Sequence, residues 1–212
     1  MTERHDGASD FGFSLLAKAF HAHWRSEGSD VEVLTDYIAQ NPPWVAESIL
    51  LDTLQLVAAD LPVWQIEAIW SMATHPFHDL RREGHDGRDW LHRIIRLSQD
   101  RLRTQEGATE EGAPLTPYAA LTGAVLDEIL AVSVGITEGA LKWPSLYVPG
   151  IVPALNDVAT RVCPDLAFRL MLRALSKFVP RVSREQYDRY VALGQRSEYG
   201  ELLVSGYDHL TA

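Results

Sequence analysis

The chain has 212 residues, of which 46% are hydrophobic and 23% are charged, and this is the composition of an ordinary globular protein. These values exclude wholesale disorder and fibrous repeats, and the length permits a hydrophobic core that needs no metal or disulfide support. The single cysteine, Cys163, excludes an internal disulfide and a multi-cysteine zinc site. The net charge of −10 makes the chain a poor general binder of nucleic acid, because such binding depends on lysine and arginine.

Apolar residues in the first 75 positions recur with the period of an α-helix. Phe13, Leu16, Ala17, Phe20 and Trp24 recur on one face of a 3.6-residue period, which predicts a helix that begins after Asp10 and ends at Gly28. Ser29 or Asp30 then caps a short helix that ends at Gln40. Prolines at 42–43 and 62 start two further helices, at about 44–59 and 62–72, because proline fits the first turn of a helix.

Residues 75–87 are expected to be irregular, and helical spacing resumes after them. A helix is expected from Arg88, another through Tyr118, Leu121, Val125 and Ile129, and part of 135–153 is expected to be loop because it is rich in Gly and Pro. Further helices are predicted at about 151–162, 164–179, 184–194 and 197–209. Strand signals are nearly absent.

The predicted fold is therefore all-α, an irregular multi-helix bundle of about nine or ten helices. Two helix pairs, 44–59/62–72 and 151–162/164–179, leave open an alternative with solenoid-like helical hairpins. We expect residues 1–212 to form a single all-helical domain. Its two sub-bundles, at about 8–104 and 115–212, are joined by an acidic Gly- and Glu-rich linker at 105–114.

The location of the protein is predicted from two absences in the sequence. The N-terminus has no basic region followed by an apolar core, so we expect no signal peptide. The most apolar stretches of the first half are broken by Asp52 and Asp60, and we find no run of about 20 apolar residues, so we expect no membrane partner. With its one cysteine, the chain is predicted to be cytoplasmic.

A cluster of histidine and aspartate at 75–92 is the most suggestive chemical feature. Imidazole and carboxylate groups are the ligands of catalytic Zn, Mn and non-haem Fe sites, so the cluster provides one hypothesis, a metal-dependent helical enzyme of hydrolase or oxygenase type. The alternative is a polar loop that ends in Asp86 as a helix cap. The candidate ligands are His75, His78, Asp79, His85, Asp86 and Asp89.

Three other groups have a functional and a structural interpretation. Arg169, Arg173 and Lys177 form a basic stripe at helical spacing. It is either a surface that binds anions or RNA, or a solvated face, or an internal partner for the acidic segments elsewhere in the chain; Asp165 is placed to pair with Arg169. Cys163, before Pro164, is expected to occupy a tight helix start. The six tryptophans are expected mostly in the core, with one or two as exposed anchors.

Acidic residues are concentrated in the segments 1–60 and 106–160, where they form either a solvated surface or an electrostatic face that steers a basic partner. This distribution, without a convincing catalytic set, predicts a non-enzymatic protein-binding module with no metal site and no cofactor. An immunity-type inhibitor or accessory subunit that occludes or supports a larger, basic protein is of this kind. The candidate partner-binding residues are Asp30, Glu32, Asp36, Glu106, Glu110, Glu111, Asp127 and Glu128.

Overall fold

A computed structural model of the chain describes residues 10–104, 118–144, 146, 148–179, 181–198 and 201–211. This part of the chain contains ten α-helices, and its only β pairing is an isolated bridge between Val182 and Thr211. The prediction of an all-α, multi-helix bundle is confirmed.

The ten helices vary from five to nineteen residues in length. Short 3₁₀ turns follow α1 at Ala17–Ala19 and Trp24–Ser26, precede α6 at Ala119–Leu121 and follow α10 at Asp208–Leu210, and a π-helical turn at Val158–Val162 continues α7. The helices are α1 (Gly12–Leu16), α2 (Asp30–Gln40), α3 (Pro43–Ala58), α4 (Val63–Thr74), α5 (Gly87–Arg103), α6 (Thr122–Ala140), α7 (Val148–Asp157), α8 (Pro164–Phe178), α9 (Arg184–Arg196) and α10 (Glu201–Ser205).

Helix starts follow the local signals in the sequence. Ser29 caps α2 in a capping box with Glu32, and the Asp86 carboxylate accepts hydrogen bonds from two backbone N–H groups at the start of α5. Pro43 occupies the first turn of α3, and Cys163 is the N-cap of α8, as expected. The Ser29 and Asp86 side chains satisfy N–H groups that have no partner inside the helix, whereas Pro43 and Cys163 make no such side-chain cap.

The prediction of one continuous helix from Asp10 to Gly28 is wrong, because this segment contains α1 and two separate 3₁₀ turns. The helical segment breaks at Phe20, and Phe11 rather than Asp10 occupies the N-cap of α1, without a side-chain cap. The side chain of Trp24 is turned to donate a hydrogen bond from Nε1 to the Phe77 carbonyl oxygen, at 2.8 Å. Intrinsic helix propensity is weak enough for tertiary contacts such as this one to override it.

Residues 11–104 form one compact unit. Within its described part, α3 packs chiefly against α5 and α1, which are not its immediate neighbours along the chain. Its centre is an aromatic cluster in which the Trp70 ring lies 5.4 Å from the ring centroids of both Phe13 and Trp90. Such edge-to-face pairs stabilise a core beyond the area that they bury.

Asp10 and the described residues of 118–211 form a second compact unit. Helix α8 is its centre, with all but two side chains buried, and it packs chiefly against α6. Within 135–153, where part was expected to be loop, the described residues outside α6 and α7 are 141–144 and 146. The predicted helix at 197–209 is wrong in extent, because α10 ends at Ser205.

The predicted linker at 105–114 lies outside the described residues, and the single domain of two sub-bundles stays a prediction. One segment, Ala119–Ala140, is long and apolar enough to cross a membrane by length and composition alone. This segment was not among the apolar stretches singled out in the sequence. A core helix passes the same test, but only a third of this segment is buried, so its exposed face needs an explanation.

Candidate functional site

The acidic residues of α2 do not form one open face. Asp30 is buried, and the exposed Glu32 accepts a hydrogen bond from the Ser29 backbone N–H at 2.7 Å, which lowers the pKa of its carboxyl group. Asp36 is exposed on the same helix. The interpretation of Asp30 as a surface residue is corrected, because its carboxylate is buried against the imidazoles of His78 and His85.

Asp30 joins two histidines of the 75–92 segment. Its Oδ2 atom lies 3.3 Å from His78 Nε2 and 2.7 Å from His85 Nε2. His78 is buried, whereas His85 retains some exposure. Two histidines of the 75–92 segment therefore do come together. They meet at a carboxylate of α2, which the spacing of residues in the sequence did not indicate.

Hydrogen bonding fixes the tautomer of His78. Its Nδ1 atom accepts the Nε1–H of Trp70 at 2.8 Å, so Nδ1 carries no proton and Nε2–H donates to Asp30. Burial lowers the pKa of His78, and the opposing attraction of Asp30 does not overcome that effect. The His78 ring also stacks on Trp90, at a centroid distance of 5.6 Å.

The remaining polar residues of the cluster are dispersed. His75 is buried, Asp79 is half-buried and Asp86 caps α5, while Asp89 and His92 are exposed. Among the residues that the structure describes, no three His, Cys, Asp or Glu side chains are grouped so that they hold a metal ion. The metal-dependent enzyme therefore stays a hypothesis.

The basic stripe of α8 is directed inward. Arg169 is only 2% exposed and pairs with Asp165 at 2.9 Å, which confirms the predicted i,i+4 pair but places it in the interior. Arg173 is also buried, 3.7 Å from Asp10. The half-buried Lys177 has a pKa lowered to about 8 by burial and by the neighbouring Arg173. The interpretation of the stripe as an open anion-binding surface is corrected.

Glu128 of α6 is buried as well. Its carboxylate receives hydrogen bonds from the Arg189 guanidinium of α9, one of them at 3.2 Å. The neighbouring Asp127 is exposed. Of the candidate partner-binding acids, Glu32, Asp36 and Asp127 are on the surface, Asp30 and Glu128 are interior, and Glu106, Glu110 and Glu111 lie outside the described residues.

A surface that the sequence did not predict runs along α6. Leu130, Val134 and Leu141, the last being the C-cap residue directly after α6, are 72%, 66% and 65% exposed, and they recur at i, i+4 and i+11. This spacing keeps them within about 40° of one another around the helix axis. Asp127 and Glu138, both exposed, lie along one edge of this stripe. We call these five residues the α6 face.

The α6 face was missed because the segment has apolar residues on all sides. Periodicity identified Val125 and Ile129, which are buried, but it did not distinguish them from apolar residues that face solvent. Exposed anchors were expected among the tryptophans instead: Trp24, Trp70 and Trp90 are buried, and Trp44, Trp64 and Trp143 are 38–44% exposed.

Comparisons with protein-family models, with curated proteins and with solved structures give no match for this chain.

Proposed function

We propose that this chain is a non-enzymatic protein-binding module that docks a partner on the α6 face. The observation that carries the proposal is the exposure of three large aliphatic side chains in one row, Leu130, Val134 and Leu141. Several large apolar side chains exposed along one side of a helix are typical of surfaces that bind another molecule. Burying these side chains against a partner would remove their apolar surface from water, which favours binding.

The charges along the stripe favour a particular kind of partner. Asp127 and Glu138 are exposed on one edge of the stripe, and the net charge of the chain is −10. An amphipathic helix with lysine or arginine on one flank of its apolar face would fit this surface. Its apolar side chains would pack on the aliphatic row, and its basic side chains would pair with Asp127 and Glu138. Docking would occlude or support that partner, in the manner of an immunity-type inhibitor or an accessory subunit.

A membrane surface is a weaker alternative occupant. Helices that lie on membranes carry basic residues beside their apolar face, and these are attracted to anionic lipids. The edge of the α6 face is acidic, so the same lipids would repel it. Flotation with vesicles of anionic phospholipid is expected to leave the protein in the unbound fraction, and co-flotation that Val134→Ser abolishes would favour the membrane.

Site-specific photo-crosslinking tests the protein partner directly. With p-benzoylphenylalanine at position 134, in cells that express the protein naturally, we expect a crosslink to a distinct protein. The same group at Ala192, which is exposed on α9, is the matched control and should give none. The crosslinked peptide should map to an amphipathic helix with a basic flank, and the double variant Asp127→Lys/Glu138→Lys should weaken the crosslink.

Three results would contradict the proposal. They are equal crosslinking from positions 134 and 192, a product with the mass of a second copy of the chain, and a crosslinked peptide that lacks basic residues. An unchanged yield in the charge-reversed variant would remove the electrostatic part of the argument.

A further inference from the structure

Residues 75–86 form a strap between α4 and α5. Of its twelve residues, all of which are described, only His75, His78 and Leu80 are buried. Other attachments are the hydrogen bonds from Trp24 Nε1–H to the Phe77 carbonyl oxygen and from the Thr74 hydroxyl to the His78 carbonyl oxygen, and the pairs of Arg81 with the buried Glu67 and of Arg25 with Glu83. Ion pairs with an exposed arginine contribute little to stability, so the strap depends on its few buried side chains and on these hydrogen bonds.

His78 is the polar anchor of the strap. It accepts a hydrogen bond from Trp70 at Nδ1 and donates one to Asp30 from Nε2, so both nitrogens are engaged and the imidazole is neutral. A proton added at Nδ1 would face the Trp70 N–H, which is also a donor, at a separation of 2.8 Å. Protonation of His78 therefore requires the Trp70 hydrogen bond to break.

His85 is held differently from His78. Its Nε2 atom lies 2.7 Å from Asp30, and the Trp70 N–H donates to His78 and not to His85. The two histidines share one carboxylate oxygen, but only at His78 would an added proton displace the Trp70 hydrogen bond. This difference supplies an internal control.

We propose that protonation of His78 releases the strap at 75–86 from the helices of its unit, so that the strap is a pH-sensitive switch. The charged and titratable groups that act on His78 are Asp30 from α2 and Glu83 and His85 from the strap itself. The rings that surround His78 belong to Phe20, Trp24, Trp70 and Trp90 and carry no charge.

Two considerations support release rather than local adjustment. Burial lowers the pKa of His78 below its ordinary value of 6.5, so the folded strap resists the proton that free imidazole accepts. When the strap opens, the imidazole becomes solvated and can bind a proton. Because the open state binds the proton more readily than the closed state, lower pH favours opening. The proposal is independent of the α6 face, which belongs to the other compact unit.

Amide hydrogen exchange of the full chain tests the switch. Protection factors, normalised to the exchange rates of an unstructured peptide, are measured for 77–86 between about pH 7.5 and about pH 5, the range in which histidine titrates. We expect strap protection to fall by up to about tenfold per pH unit below the ordinary histidine pKa, the limit for one proton. Protection of α3 should change less.

Two substitutions separate the histidines. His78→Asn keeps an acceptor for the Trp70 N–H but cannot titrate, so its strap protection should not depend on pH. His85→Asn should retain the acid response of the native chain. Strap protection that is independent of pH in the native chain, or an acid response that persists in His78→Asn, would overturn the proposal.

A third variant and a spectroscopic measurement cover the case in which His78→Asn fails to fold. Trp70→Phe removes the N–H group but keeps an aromatic ring, so Nδ1 can take a proton without conflict and the acid response should diminish. In the native chain, ¹⁵N chemical shifts of the imidazole should show Nδ1 unprotonated at neutral pH. The titration of His78 should coincide with strap opening, and separate midpoints would contradict the switch.

Discussion

Gly139 of α6 lies directly against the backbone of Phe178 at the end of α8. A Cβ atom at position 139 would overlap the Phe178 carbonyl oxygen and lie 2.8 Å from the Phe178 Cβ atom. The absence of a side chain at this glycine is therefore what permits α6 and α8 to approach so closely.

We expect Gly139→Ala to destabilise the protein by about 2–3 kcal/mol, because the backbone of α8 has to move to make room for one methyl group. Gly123 in the first turn of α6 provides the control, since a Cβ atom there meets nothing within 4 Å. Gly123→Ala should be neutral or stabilise by up to about 1 kcal/mol, through its better helix propensity. Urea denaturation of both variants measures the difference, and equal effects would contradict the close approach.

The buried pair Asp165–Arg169 is expected to be far more sensitive than an exposed pair of the same spacing. Asp165→Asn leaves a guanidinium that is 2% exposed without this carboxylate, and we expect a loss of about 3–5 kcal/mol. Arg184 and Asp188 also pair at i,i+4, at 3.0 Å, but on the surface. Asp188→Asn should cost no more than about 0.5 kcal/mol, measured by the same denaturation experiment. Similar losses of stability in Asp165→Asn and Asp188→Asn would contradict the burial of the Asp165–Arg169 pair.

Two valines of α6 test the assignment of its exposed face. Val132 is 4% exposed and Val134 is 66% exposed. Val132→Ala should cost about 1–2 kcal/mol, because it leaves a cavity in the core. Val134→Ala should change the free energy of unfolding by less than about 0.5 kcal/mol, since solvent already surrounds that side chain. A large loss at Val134 would mean that the α6 face is part of the folded core.

Lys177 should give the protein a stability that rises with pH. Its pKa is about 8 in the folded chain against 10.5 for an ordinary lysine, so between these values the unfolded chain binds more protons. The free energy of unfolding should therefore increase from pH 8 towards pH 10, by at most about 1.4 kcal/mol per pH unit. Lys177→Met should flatten this slope. A slope that persists in the variant would assign the effect to another group.

Tyr190 and Tyr207 set the upper limit of that pH window. Burial raises the pKa of both phenols above the ordinary value of 10, so the folded chain keeps protons that the unfolded chain loses at higher pH. Their contribution to stability is therefore lost as the pH rises beyond 10, opposite in sign to that of Lys177. Measurements for Lys177 are best made below that pH.

Several local features of the fold follow from short stretches of sequence. Ser29, Pro43, Asp86 and Cys163 mark helix starts because a cap or a first-turn proline acts on backbone groups only a few residues away. The pair Asp165–Arg169 was predictable for the same reason, since one helical turn brings the two side chains together.

The candidate sites depended on contacts between residues far apart in the sequence. Asp30 meets His78 and His85 across 48 and 55 residues, so a residue assigned to the surface became the centre of a buried network. Leu130 and Val134 differ from their buried neighbours only in what packs, or does not pack, against their side of α6. Apolar residues on all sides of a helix do not show which side remains open.

By itself, the sequence determined that this chain is helical, where most of its helices begin, and how its acidic and basic residues are distributed, because these depend on neighbours within a few turns. Tertiary structure alone decided which charges are buried and which apolar row remains exposed. Burial of a side chain depends on the helix that packs against it, and that helix comes from a distant part of the chain.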